Sequence, residues 1–444
     1  MTASAVSAEE LRQENEKRLR QIVERTGKSP EALYEEREAR IRAAIELRVP
    51  DRVPVVLGGT YFAARYSGLS LASAYYDAPT WKEAFKRMIL DFEPDATGTG
   101  GAMSSGLVQE ILGARQMRWP GGTLPPDVGH QFVEGEYMKE DEYDLFLEDP
   151  SDFIIRRYLP RVYDALAPLA QLPSPSIWLG SGAFAATVPI FAAAEFQQLF
   201  ETLVRAGQEE ERWRQTAHGL DEELAALGFP ASAHGMGAGG APFDVVSDSL
   251  RGMRGSMLDM YRRPEKLLAA CDKILSWRLA RTAPPDPERR GNPKIAATAL
   301  HRGSQGFMSK KQFETFYWPG LKSAILASIE LGYVAEPFFE GRWDDRLEYL
   351  LEIPAGKMIC RFSETDMAKA KAVLGDSFCL MGNVPASLLQ AGSPSEVEEY
   401  CRKLIAVCGK GGGFILRSST DSLDEAKPAN VRAMVESAKK YGSY

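Results

Sequence analysis

Residues 356–385 read "GKMICRFSETDMAKAKAVLGDSFCLMGNVP". Two short apolar runs, 356–364 and 377–385, flank a segment that reads as a helix, "MAKAKAVLG" with Asp366 as its cap. Strand, helix, strand in so short a stretch demands parallel strands, because a helical crossover returns the chain to the edge where it began. Working outward, "RVPVVLGG" (52–59), "DATGTGG" (95–101), "SIWLGSG" (176–182), "PASAHGMGAGG" (230–240), "KIAATALHRGS" (294–304), "YVAEPFFEG" (333–341) and "GGFILRSST" (412–420) have the same strand-like character. Amphipathic stretches lie between them, as in 263–280, 309–332 and 393–411, with Ser309 and Ser393 placed as caps and glycine near the ends. The alternation repeats about eight times, so the chain is predicted to be α/β, a (β/α)8 TIM barrel. No G-x-G-x-x-G fingerprint follows the first strand, and no G-x-x-x-x-G-K-[ST] occurs, which disfavours a doubly wound nucleotide fold.

Two regions fall outside this rhythm. Residues 8–46 are highly charged and read as two helices broken at "GKSP", an N-terminal helical arm (1–48) ahead of the barrel (49–444). Residues 163–229 hold two helical patterns and an alanine-rich apolar stretch, a helical insertion at the barrel mouth that serves as a lid or subunit contact.

The 444 residues carry a formal net charge of −8, which argues against a nucleic-acid binder and against attraction to anionic membranes. No run approaches the ~20 apolar residues of a membrane span, and the first residues lack a secretory pattern, so a cytoplasmic protein is expected. Five cysteines without a C-x-x-C pair suggest reduced thiols, and only four histidines are available for chemistry.

In a barrel, chemistry gathers where the strands end. The run 294–304 ends in His301 and Arg302, and 333–341 ends in Glu340 followed by Gly341. Asn383 and Arg417 end the last two runs. His301 is either a hydrogen-bonded barrel residue or a catalyst, and Arg302 and Arg417 are either structural counter-charges or anion clamps. Asp345 is expected to cap the helix after Glu340. Glu340 stands at the tip of an apolar run, where a carboxyl tends to hold its proton and suits general-acid work. In "GGAPFDVVSDSLRGMRG" (239–255), Asp244 and Asp248 are four apart and share a helix face. They are either solvated or partnered in a cleft, with Arg251 and Arg254 as nearby counter-charges.

From about residue 40 onward the chain resembles the uroporphyrinogen decarboxylase superfamily. The resemblance is carried by "DRVPVV", "PFDVVSDSLRG", "GFMSKKQFETFYWPGLK", "LGDSFCLMGNVPASLLQAGSPSEVEEYCRKLI" and "GGFILRSSTD" with "KPANVRAM", in that order. It implies a (β/α)8 domain with its cleft at the strand C-termini, and a homodimer. The pattern departs from the true decarboxylases. Their "RQAGRY" corresponds to "GGTYFAARYSG", their aspartate falls in "TGTGGAMSS", their tyrosine at Asp248 and their late histidine at Ser419. It departs equally from the zinc-dependent members, whose His-x-Cys and later Cys fall at Phe338, Glu340 and Ser419. The usual His-x-Cys and Cys zinc ligands are therefore absent, which leaves the metal undetermined.

What remains is the branch whose members pass a methyl group to cobalamin, a corrinoid carried by a partner protein. The resemblance then implies transfer from a small O- or N-methyl compound such as an aryl methyl ether, an O-demethylation. Glu340 would be the acid, with His301, while Arg302 and Arg417 orient anionic groups and Asp244 and Asp248 line the mouth. Tyr61, Phe62, Phe338, Phe339 and Trp343 would supply an apolar pocket, with Asn383 also facing the substrate. The alternatives are a decarboxylase or lyase of a small carboxylic acid or tetrapyrrole, and a non-catalytic barrel that binds a tetrapyrrole or corrinoid partner.

Overall fold

A computed structural model describes residues 6–98 and 104–444. Helix α1 (Ala8–Thr26) opens with a reciprocal cap: Ser7 Oγ accepts from Glu10 N at 3.2 Å and Glu10 accepts from Ser7 N at 2.9 Å. Gly27, at φ +66°, stops it, and Ser29 caps α2 (Pro30–Ile45). The break falls at "GKSP", as expected. Helix α1 packs on the helix Ala78–Phe92, where Asn15 donates to Glu83 O and Arg18 meets Asp91 at 2.6 Å.

Nine strands follow among the described residues. β1 (Val56–Leu57) pairs in parallel with β2 (Ala96–Thr97). β3 (Met117–Arg118) and β4 (Gln131–Phe132) form a small antiparallel ribbon. β5 (Ile295–Leu300), β6 (Val334–Phe339), β7 (Ile359–Phe362), β8 (Cys379–Val384) and β9 (Phe414–Ser418) make one parallel sheet in chain order. Single bridges link the two parallel sheets at both edges. Leu416 N donates to Pro54 O, joining β9 to β1. Residues 230–235 join β2 to β5: Thr97 N donates to Pro230 O, and Ala297 N to Gly235 O.

The strands are buried on both faces, and the two faces sort by sequence parity. Leu300, Phe339, Cys360, Phe362, Leu380, Phe414 and Leu416 belong to the large apolar cluster that includes the helices. Their neighbours Ile295, Val334, Ile359, Cys379, Met381 and Ile415 meet Val56 and Ala96 in a second cluster. That inner cluster is completed by Ile41, Ala44 and Ile45 of α2, so the charged arm also plugs one end of the strand array. Burying each isoleucine contributes about 2 kcal/mol.

Some expectations change. The run 176–182 is no strand: Pro175–Trp178 is a 3-10 turn, because prolines 173 and 175 and glycines 180 and 182 interrupt any ladder. The run 230–240 shrinks to two bridges among its glycines, and residues 99–101 of the second strand lie outside the described residues. Within 163–229 a long helix (Ala194–Ala217) and several shorter turns share a small core of Leu166, Leu172, Phe196 and Leu199. Among the described residues no single helix is long and apolar enough to cross a membrane, although one sharply bent pair, Ala183–Ala192 with Ala194–Ala226, has the length and composition.

Candidate active site

Beyond the inner apolar cluster, the same inward parity runs on along β5 and β6, through Ala297, Ala299 and His301 and through Glu336, Phe338 and Glu340. Ala299 and His301 are exposed, so an open space begins above the inner core and ends at a rim of titratable side chains. Gly341, at φ +71°, turns the chain sharply behind Glu340; a Cβ there would come within 2.9 Å of Ser304. Trp343 Nε1 donates to Glu340 O at 2.9 Å, and Gly341 N to Ser363 Oγ at 2.8 Å, which fixes the turn.

His301 is set by two aspartates. Asp244, buried on the short helix Pro242–Val245, accepts the backbone N–H groups of His301 (3.1 Å) and Arg302 (3.0 Å) and the Tyr317 hydroxyl (2.8 Å). Asp248, on the π-helical turn Val246–Arg251, lies 2.5 Å from His301 Nδ1 and accepts from Arg302 Nη2 at 3.0 Å. Arg302 Nε also donates to Ser247 Oγ. π turns commonly occur at functional sites, since the extra residue re-aims a side chain. Glu340 Oε1 stands 4.0 Å from His301 Nε2.

The electrostatics follow from these contacts. The Asp248 hydrogen bond outweighs burial and raises His301 to about 9, so the ring is an imidazolium at neutral pH. Burial pushes the Asp248 carboxyl up, yet the hydrogen bond and charge of His301, with Arg302, hold it below the ordinary value. Burial raises Glu340, moderated by the His301 charge. Burial also raises Asp244 to about 6 against the opposing pull of its hydrogen bonds. His301 Nε2 and the Glu340 carboxyl thus meet at the rim, 4.0 Å apart. A cavity of about 510 Å³ opens beside His301, lined by Asp248, His301, Arg302, Gln109, Phe132 and Tyr163 among others, with Glu340 outside its lining.

Several expected site residues take other places. Asp244 is a buried brace beneath the mouth. Arg251 pairs with Asp259 at 2.6 Å rather than with Asp244 or Asp248. Arg417 is 1 % exposed and tied to Asp421 (2.9 Å) and Glu336 (3.4 Å), with Arg361 on the same acids, so it closes a buried charge cluster instead of holding a ligand. Tyr61 and Phe62 are buried, the Tyr61 hydroxyl bonded to Tyr75 and His130 Nδ1. Trp343 and Phe339 are buried against one another, and Phe338 stacks 4.1 Å under the Arg361 guanidinium. Asn383 donates to Thr365 O and lines a separate cavity of about 870 Å³. Asp345 caps nothing, since the next helix (Leu347–Leu350) has no side-chain cap, whereas Asp366 does cap, accepting from Ala368 N and Lys369 N. Tyr317, Ser247, Glu336 and Arg361 were missed as contributors. The parity of Glu336 with Glu340 was the available signal for one; nothing local marks Tyr317.

The positions of the zinc ligands offer no such set: Phe338 has no donor atom and packs on Arg361. Among the described residues no three His, Cys, Asp or Glu side chains gather to hold a metal ion.

Residues 224–441 match the family model "Uroporphyrinogen decarboxylase (URO-D)". Uroporphyrinogen decarboxylases of Chlorobium phaeovibrioides and Pseudoalteromonas atlantica are each 31 % identical, over 77 and 78 residues, 17 % and 18 % of this chain. The matched segment spans 22 % of each relative's own length. A methyltransferase from Methanosarcina mazei superposes with a TM-score of 0.55 at 15 % identity, covering 91 % of this chain and 98 % of that one, which establishes a shared fold. The family match thus covers residues 224–441, just under half of the chain, and the fold that carries it is shared with that methyltransferase.

Proposed function

We propose that the protein is a methyltransferase that takes a methyl group from a small O- or N-methyl compound and delivers it to a corrinoid protein. The eight parallel segments are read with it as a (β/α)8 barrel. The bridges at Leu416–Val55, Thr97–Ala231 and Gly235–Ala296 support that closure, and the cleft then lies at the C-terminal ends of the strands.

The acid pair carries the reading. When the bond between the methyl carbon and oxygen or nitrogen breaks, the methyl leaves toward the acceptor's electron pair. The bonding pair stays on the heteroatom, which needs a proton. Glu340, whose carboxyl is shifted upward by burial, supplies it; His301, charged and held by Asp248, stabilises the developing negative charge and can reload Glu340 from solvent. The structural likeness to a methyltransferase agrees with this chemistry. A decarboxylase would require unpaired cations for its substrate's carboxylates, and Arg302 and Arg417 are each committed to aspartate.

The test is an assay with cob(I)alamin and a panel of methoxylated and N-methylated compounds. Formation of methylcobalamin, lost in Glu340→Gln, is the expected result. Release of carbon dioxide with no methyl transfer from any member would overturn it.

A further inference from the structure

The turn Val246–Arg251 separates two cavities. One holds His301 and Asp248. The other, of about 700 Å³, lies on the far side of the turn, between it and the helix Pro264–Arg281. Val245, Ser249 and Leu250 form its inner wall, and residues 236–239 its edge. Its volume is that of a small-molecule site, and its lining is of the mostly apolar, aromatic kind such sites have.

The polar groups in that lining are selective. Trp277, Phe146, Tyr158 and Tyr333 supply flat aromatic surface, while Arg278 and Arg281 supply positive charge. No carboxylate lines the cavity among the described residues. Arg278 is steered by one hydrogen bond to Gly240 O at 2.8 Å, with its guanidinium laid against Gly239. Arg281 is exposed, one turn further along the same helix face. Arginine at a helix C-terminus is favoured by the dipole alone. The dipole does not account for four aromatic rings and a hollow of this size beside it. Arginine also matches carboxylate geometry in a way lysine does not.

We propose that this cavity is a second small-molecule site, distinct from the His301 cavity, that takes an aromatic monocarboxylate: rings among Trp277, Tyr158 and Phe146, carboxylate on Arg281 and Arg278. An occupant would press on Val245 and Leu250, the residues that flank Asp248 in the chain.

The experiment is calorimetric titration of the full chain with 2-naphthoate, with neutral 2-naphthamide as control. Saturable binding with one site is expected, with the amide at least about tenfold weaker, as loss of a charge-assisted hydrogen bond requires. Arg281→Glu, at an exposed position where folding is not at risk, should weaken 2-naphthoate by about tenfold or more, whereas Arg302→Ala, in the other cavity, should leave it unchanged. The proposal is overturned if 2-naphthoate does not bind by millimolar concentration. It is equally overturned if the amide binds as well, or if Arg302→Ala rather than Arg281→Glu removes binding.

Discussion

Replacing Asp248 with asparagine keeps the shape of the turn and removes the charge 2.5 Å from His301 Nδ1. In the native protein that contact raises His301 to about 9 against the downward pull of burial. At pH 7.5 such a ring is about 97 % protonated, whereas one at the ordinary value is about 9 % protonated. In Asp248→Asn, burial is opposed mainly by Glu340 at 4.0 Å, so the ring should titrate well below the native value. The chain has four histidines, so proton NMR of the ring Hε1 signals across pH 5–10 resolves them, and His301→Gln assigns the one of interest. The sign of the linked stability is fixed. A folded-state value above the unfolded one gives stabilisation fully present below about pH 6.5 and lost as pH rises through about 9. The stability difference between the native protein and Asp248→Asn should therefore shrink from pH 6 to pH 9, leaving the Arg302 share. A native His301 that titrates near 6.5, or one unmoved by Asp248→Asn, would refute the argument.

Glu340→Gln should slow methyl transfer about 10²-fold or more while leaving the melting temperature unchanged, because the carboxylate is 41 % exposed. Asp244→Ala strands two backbone N–H groups and the Tyr317 hydroxyl in a buried place, and denaturant unfolding should show a loss of about 3 kcal/mol or more. Arg417→Met removes the buried partner of Glu336 and should cost about 3–5 kcal/mol in the same assay; a rise in KM at unchanged stability would instead restore Arg417 as a substrate clamp. Trp343→Phe keeps the packing on Phe339 but releases Glu340 O, so it should lower kcat more than it lowers stability.

The parallel sheet was legible because strands buried on both faces produce nearly continuous apolar runs, as in "SFCLMGNVP". The run around Ile177, Trp178 and Leu179 has the same composition and is no strand, with Leu179 92 % exposed; composition cannot tell a buried ladder from an apolar surface turn. The rim was legible too, since His301 and Glu340 end strands and Asp248 faces them. Roles that depend on partners distant in the chain were not. Arg417 is inward by parity, but only the fold brings Glu336 to it across 81 positions. Tyr61 looked like pocket lining because its burial under Tyr75 and His130 has no local signature.

Helix α2 gives the proposed reaction a traffic rule. Among the described residues, Ile41, Ala44 and Ile45 stopper one end of the strand array, the end away from His301 and Glu340. On the proposed reaction, a methyl donor and a macromolecular acceptor would then approach from the same side, in turn. The donor has to be seated before the acceptor covers it, and its demethylated remnant is trapped until the acceptor withdraws. Steady-state kinetics should accordingly follow a compulsory order, donor first in and last out, with excess acceptor protein inhibiting by standing in the doorway.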